Sequence, residues 1–357
     1  MKLVYINLIW KARGKGKGDR GEKMKAMVLR KILPVEEEPL KQMILPVPIP
    51  GPKEVLIKIS VCGVCHTELD EIEGRLSPNL PIVLGHEVVG RVERSGIEAR
   101  RFQVGDRVGM AWIYSACGEC HFCREGNENL CPEFQGTGCH ANGGYSQFAV
   151  IGEDFAYPIP EQFSDAEAAP LLCAGAIGYR NLRLSGIKRG QTLGLFGFGA
   201  SAHIVTQVAK HWGCEVFVFT RGEAHQEMAR KLGAGWAGGP EEDPPKRLQC
   251  AIDFTPVGET VPRALKALDK GGRLVLAVIR KRNLVPPLDY TQHLWDEKEI
   301  KSVANITRKD AQDFLHLAAE IPIIPEVREF KLEEVNRVLL LLKQGGIQGA
   351  AVLRMDD

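Results

Sequence analysis

From Met24 to about Val150 the chain alternates apolar and polar residues in short runs. VLIKIS (55–60) alternates with few breakers, VVGRVE (88–93) and DRVGMAW (106–112) are similar, and Gly, Pro and Asp turns separate them. This pattern predicts a β-rich unit. After about residue 165 the period changes. DAEAAPLLCAGAIGYRNLRL (165–184) has helical spacing, with Ser164 at its N-cap position. Strands and helices then alternate: TLGLFGFG (192–199) and CEVFVFT (214–220) read as strands, and SAHIVTQVAKHWG and EAHQEMARKLG as the helices that follow them. CAIDFT (250–255) and GRLVLAV (272–278) are further buried strands, with TVPRALKAL as a helix between them. The last fifty residues read as helix, strand, helix and strand: DAQDFLHLAAE, VREF, LEEVNRVLLLLKQG and GAAVL. Alternating strands and helices predict a doubly wound parallel sheet, so the fold class is α/β with a separate β-rich domain.

At 357 residues the chain exceeds one ordinary core, which supports two domains. A net charge of +1 gives no basic excess for nucleic acid, and no apolar run is long enough to span a membrane. The first 23 residues stand apart. The apolar run Leu3 to Trp10 is broken by Asn7 and lacks a small-residue cleavage site, so it does not read as a signal peptide. The Gly/Lys stretch from Lys11 to Lys23 reads as a disordered leader, with folding expected from Met24. A cytoplasmic location is expected. There, ten cysteines point to metal ligation or reactivity more than to disulfides.

Gly197, Gly199 and Ala202 form G-x-G-x-x-A directly after an apolar strand and at the start of a helix. In that context the motif predicts a dinucleotide pyrophosphate on the helix N-terminus. The next strand ends Thr220-Arg221-Gly222. A carboxylate that binds a ribose 2′-hydroxyl is missing there, and Arg221 is able to pair with a 2′-phosphate. NADP is therefore favoured, with NAD as the alternative.

Residues 117–131, CGECHFCREGNENLC, place Cys117, Cys120, Cys123 and Cys131 in the spacing C-x2-C-x2-C-x7-C. Four thiolates on a short loop can surround one Zn2+ tetrahedrally, leaving no open position. Disulfides would strain at this spacing, and an iron–sulfur cluster is the remaining rival. A second group comes from three segments. VCGVCHTELD (61–70) carries Cys62, Cys65 and His66, LGHEVVG (84–90) carries His86 and Glu87, and APLLCAGA (169–176) carries Cys173. One Cys, one His and one Cys would leave a zinc open to substrate.

GVCHTEL, GHEVVGRV, GDRVG, the four-cysteine lobe, APLLCAG and GFGASA follow one another in that order. From Met24 to the C-terminus the sequence resembles the zinc-dependent medium-chain alcohol dehydrogenases, most of all their bacterial and cinnamyl-type members. The resemblance implies a GroES-like catalytic domain over 24–176 and a Rossmann cofactor domain over 177–306, with the chain returning to the catalytic domain over 307–357. By position it makes Cys65, His86 and Cys173 the catalytic zinc ligands and Cys62 a buried spectator. Glu87 stands beside the metal, and Glu68 is the carboxylate that orients His86. Thr67 takes the alcohol proton, and His66 lies near the cofactor pyrophosphate. Trp112 and Ile113 are expected to line the substrate pocket, with His121 an exposed spectator.

Two positions depart from the family. Asp70 stands where a relay histidine is frequent, so the last step of the proton relay is expected to use Asp70, a ribose hydroxyl or water, and Gln348 stands where an arginine usually helps to hold the cofactor phosphates. The implied activity is hydride transfer between a primary alcohol, aliphatic or aromatic, and a nicotinamide cofactor, with two zinc ions per chain. The expected partners are a small alcohol or aldehyde and further copies of the chain, as dimer or tetramer, without nucleic acid or membrane. The alternatives are a polyol dehydrogenase, a zinc-free quinone or enoyl reductase, and a non-enzymatic sensor that binds zinc and NADP.

Overall fold

The computed structural model describes residues 21–321 and 323–355. The expected leader lies outside them except for Gly21, Glu22 and Lys23. Packing divides the chain into two units: one runs up to Leu172 and resumes at Val327, and the other is Cys173–Glu326.

In the first unit, β1 (Lys23–Leu29) pairs antiparallel with β2 (Leu40–Pro46). β3 (Glu54–Val64) is the long central strand and runs into α1 (His66–Ile72) with only Cys65 between them. β4 (Ile82–Val83) pairs with β1, and β5 (Val88–Ser95) and β6 (Arg107–Met110) extend the sheet from β3. The lobe after β6 holds β7 (Ile113–Ser115), the short α2 (His121–Arg124) and β8 (Gln135–Gly136). β9 (Phe148–Gly152), β10 (Ala156–Pro158) and α3 (Asp165–Ala168) follow. Alternation along β3 and β5 buries Val55, Ile57, Val88 and Val92 in one core. Each such side chain contributes about 1.5–3 kcal/mol relative to exposure.

Residues 165–184 were expected as one helix, and the structure breaks it. After α3 comes a 3-10 turn, Ala169–Leu172, then Cys173 with φ −123° and ψ −73°, and only then α4 (Ala174–Ser185). Pro170 has no N–H to continue an α-helical ladder from Ser164. Ser164 does cap α3, its hydroxyl accepting from Glu167 N while Glu167 reaches back to Ser164 N.

The second unit alternates β11 (Thr192–Phe196), α5 (Ala200–His211), β12 (Glu215–Phe219), α6 (Glu223–Lys231) and β13 (Trp236–Gly238). It continues with β14 (Leu248–Asp253), α7 (Thr260–Ala267), β15 (Leu268–Leu276), α8 (Tyr290–His293), β16 (Glu299–Ser302) and α9 (Arg308–Glu320). The sheet is parallel in the order β13-β12-β11-β14-β15-β16. Every residue of β11 is buried, as expected for a parallel strand covered on both faces. The strand order reverses between β11 and β14, and ligands bind at the carboxyl ends of strands at such a point.

The chain re-enters the first unit at β17 (Val327–Lys331), followed by α10 (Val335–Lys343) and β18 (Ala350–Arg354). β18 pairs with β3, which closes the order β10-β6-β5-β3-β18-β17. The unit boundaries differ from those expected. Cys173 opens the second unit, ahead of 177, and α9 belongs to that unit although the return was expected at 307. The cause is packing: Asp310 on α9 accepts from Arg180 on α4 at 2.5 Å in a buried ion pair.

Candidate metal and cofactor site

Cys65, His86, Glu87 and Cys173 each offer a ligand atom, and these atoms lie within 4.8 Å of one another. Local folding explains each position. Cys65 is the N-cap of α1, in extended conformation. His86 and Glu87 lie between β4 and β5. Gly63 leaves room for Glu87, because a Cβ there would lie 1.9 Å from Glu87 Oε2. Cys173 occupies the break between the 3-10 turn and α4.

Glu68 organises the group. Its Oε2 accepts from Cys65 N at 2.7 Å, and its Oε1 lies 2.7 Å from His86 Nδ1. Both Glu68 and His86 are almost wholly buried. Burial raises the Glu68 pKa, against the lowering effect of His86. Burial alone would lower the His86 pKa, but the Glu68 carboxylate and Cys65 outweigh it and hold the imidazole well above its ordinary value. With Nδ1 facing Glu68, Nε2 is the atom that can ligate a metal, once metal binding displaces its proton.

Thr67 is buried, and its Oγ1 lies 3.5 Å from Cys65 Sγ. His66 is exposed at the start of α1. Asp70 accepts from Arg75 Nε at 2.5 Å, so its carboxylate is engaged in an ion pair. Trp112 meets His86 edge to face, with centroids 5.1 Å apart, and stacks on Phe134. Ile113, expected in the pocket, is completely buried in β7. Phe134 was missed from the sequence because it sits in an irregular loop without a periodic pattern. Cys62 is buried in the core, where its Sγ would be 2.8 Å from a Cβ on Gly85 or Gly144. Burial raises its thiol pKa well above the ordinary value.

The four cysteines of the lobe also converge, their Sγ atoms within 4.8 Å of one another. None of them is in a disulfide. Cys117 Sγ lies 3.9 Å from Cys123 Sγ and 3.5 Å from Cys131 Sγ. A tetrahedron with metal–sulfur bonds near 2.3 Å has edges of about 3.8 Å, so the spacing fits zinc. Backbone N–H groups point at the sulfurs: Cys120 N donates to Cys117 Sγ at 3.3 Å, and Cys117 N to Cys131 Sγ at 3.4 Å. Such bonds, led by the one from Cys120, lower the Cys117 pKa to about 7. His121 is exposed at the start of α2.

In the second unit, Gly197 has φ +88° and turns the chain out of β11. Gly199 caps α5, and a Cβ there would meet nothing within 4 Å, so the main chain is open to a ligand. Ala202 is buried in the first turn of α5. Thr220 is buried at the end of β12, whereas Arg221 is exposed.

The nucleotide-type sheet with its open glycine turn and the two sulfur-rich clusters define a zinc-binding dehydrogenase. Residues 51–161 match the alcohol dehydrogenase GroES-like domain, and residues 202–320 match the zinc-binding dehydrogenase domain. The chain is 44% identical to the "Probable alcohol dehydrogenase AdhA" of Mycobacterium tuberculosis (strain CDC 1551 / Oshkosh), over 92% of this chain and 97% of that protein. It is 35% identical to an alcohol dehydrogenase of Geobacillus stearothermophilus, over 85% and 92% of the two chains. A solved cinnamyl alcohol dehydrogenase of Sorghum bicolor aligns with TM-score 0.85 and 26% identity, over 93% of this chain and 98% of that one. The chain therefore belongs to the zinc-type medium-chain alcohol dehydrogenase family, and it is an oxidoreductase.

Proposed function

We propose that the protein interconverts a primary alcohol, aliphatic or aromatic, and its aldehyde by hydride transfer with a nicotinamide cofactor, NADP in preference to NAD. The observation that carries this reading is the convergence of Cys65, His86 and Cys173 with Glu87 beside them. Cys65, His86 and Cys173 would hold one zinc, and the four-cysteine lobe would hold a second. The first supplies Lewis acidity toward the substrate oxygen when bound.

The chain's own residues do the rest. Thr67 Oγ1, beside Cys65, receives the proton of the substrate hydroxyl. Asp70 is tied to Arg75, which favours a cofactor hydroxyl or solvent over Asp70 as the next proton acceptor. Glu68 fixes the His86 ring, and the indole of Trp112 presents an apolar wall beside it. Gly197, Gly199 and the N-terminus of α5 bind the pyrophosphate, and Arg221 with Thr220 meets the adenosine ribose. His66 is exposed at the head of α1, available to an anionic group.

A homo-oligomer is part of this reading. β16 is an edge strand, exposed along its whole length, and Leu284, Trp295 and Tyr290 of the preceding segment are exposed apolar side chains. An exposed edge strand, with apolar side chains exposed in the segment before it, suits a second copy.

The test is metal analysis together with turnover on an alcohol panel with both cofactors. Two zinc ions per chain and alcohol-dependent reduction of NADP are expected. Zinc without turnover on any alcohol would mean a binding protein and sink the enzymatic reading.

A further inference from the structure

Asp253 is the last residue of β14. In register it faces Phe196, the last residue of β11, and Leu276, the last residue of β15. It therefore lies at the reversal of strand order, beside the glycine turn. The side chain is fully buried and accepts three hydrogen bonds. Thr255 N and Oγ1 donate to Oδ1 at 2.8 and 2.7 Å, and Lys281 Nζ donates to Oδ2 at 2.5 Å. A carboxylate with so little solvent needs a cation to stay charged, and Lys281 is the cation that touches it.

Lys281 comes from the loop after β15, and its Nζ also donates to Thr255 O at 2.7 Å. One ammonium thus ties the end of β14 and the loop beyond it to the loop after the next strand. Other bonds close the same seam: Arg282 N donates to Pro256 O at 2.7 Å, and Gly258 N donates to Asn283 Oδ1 at 3.1 Å. The braced segment abuts the glycine turn. Phe254 N donates to Phe196 O at 2.9 Å, and a Cβ on Gly197 would lie 3.0 Å from Thr255 Cγ2. Movement of Thr255 therefore changes the surface that Gly197 presents to a ligand.

We propose that Lys281 is a positioning residue for the nicotinamide cofactor, acting through its bridge from Asp253 to Thr255 to hold the wall of the crevice beside Gly197. The inference rests on the cofactor reading above. Nothing in the RKRN segment (280–283) marks this role in the sequence, because Asp253 is 28 positions away from Lys281.

The experiment measures NADPH and NADH affinity by fluorescence titration of the zinc-loaded enzyme, with zinc content and melting temperature recorded alongside. Lys281→Met should weaken cofactor binding roughly tenfold, the scale of one charge-assisted hydrogen bond, and leave zinc content unchanged. Lys281→Arg should restore most of the affinity. The double variant Asp253→Asn/Lys281→Met removes the buried charge but not the need for the bridge. It should fold and still bind cofactor several-fold more weakly than wild type. If Lys281→Met does not fold, the double variant decides. Wild-type affinity in the double variant, or in a folded Lys281→Met, overturns the proposal. Failure of the wild type to bind either cofactor overturns the cofactor reading itself, and the positioning role with it.

Discussion

The carboxylate of Glu68 holds two candidate metal ligands at once, with His86 Nδ1 at 2.7 Å from one oxygen and Cys65 N at 2.7 Å from the other. The first contact sets a ring orientation, and the second caps the helix that presents Cys65. Glu68→Gln breaks this economy. A glutamine can accept from Cys65 N with its oxygen, but its NH2 then faces the Nδ1–H of His86, donor against donor. Turnover or zinc affinity should fall by about 10–100-fold. The check is zinc retention against a graded chelator, together with kcat. Wild-type values for both would reduce Glu68 to a helix cap.

Cys62 and Cys65 differ by three positions and, on this reading, by role. Cys65→Ala should abolish turnover and release one zinc. Cys62→Ala should keep most activity, because its sulfur is packed among Gly85, Gly144 and the core. The cost is confined to stability, about 1–2 kcal/mol for a small buried group. Equal loss of zinc from both variants would show that the ligand has been assigned to the wrong cysteine.

Much of this architecture was legible in the chain. Period-two runs mark β3 and β5, and GFGASA after an apolar strand marks the glycine turn, because these depend on neighbours in sequence. The four-cysteine lobe was legible for the same reason. The break at Cys173 was harder, since helical spacing continues across it and only Pro170 hints at the interruption. Asp253 with Lys281, Trp112 with Phe134 and α9 with α4 were not legible. Each depends on residues brought together by the sheet or by helix packing, and no local period records such a meeting. The packing of α9 with α4, through the buried pair Arg180 and Asp310, is of this kind.

His203 gives a pH dependence with a definite sign. It packs on the Phe198 ring with centroids 4.4 Å apart, and burial, helped by His225, lowers its pKa from 6.5 to about 4. In the unfolded chain it protonates near 6.5, so between 6.5 and 4 the unfolded state binds one more proton. Stability is fully present above 6.5 and falls as the pH drops through this window, by about 3 kcal/mol in all. His203→Leu should remove that share of the acid loss. Urea midpoints of both proteins at pH 7.5, 6 and 4.5 make the comparison, and parallel curves would refute it. Any zinc lost in acid affects the two proteins alike.

Ile300→Asp probes the edge strand. A charge on the exposed strand β16 should disfavour a sheet-edge contact between copies. Light scattering after size exclusion should show the wild type as a multiple of the chain mass and the variant shifted toward a single chain. A wild type that runs as a single chain at micromolar concentration would dispose of the homo-oligomer.

Cofactor choice turns on the end of β12. Thr220 is buried, its N donating to Gly238 O at 2.9 Å, so Arg221 is the side chain there free of the strand and exposed. The nearest acid, Glu223, already belongs to α6. A ribose 2′-hydroxyl is best met by a carboxylate, whereas a 2′-phosphate is repelled by one and attracted by a guanidinium. Arg221→Ala should therefore weaken NADP by about 1.5 kcal/mol, the low end for a charge-assisted contact because the site is open to solvent, and leave NAD nearly unchanged. Arg221→Asp should go further and reverse the preference, since it adds repulsion as well as removing attraction. The burial of Thr220 makes Arg221, and not Thr220, the place to introduce the carboxylate, because an aspartate at 220 would also meet a desolvation cost. The measurement is kcat/KM with both cofactors for the wild type and the two variants. A wild type that prefers NAD, with both cofactors affected alike by Arg221→Ala, would make Arg221 an ordinary surface charge and defeat the NADP assignment.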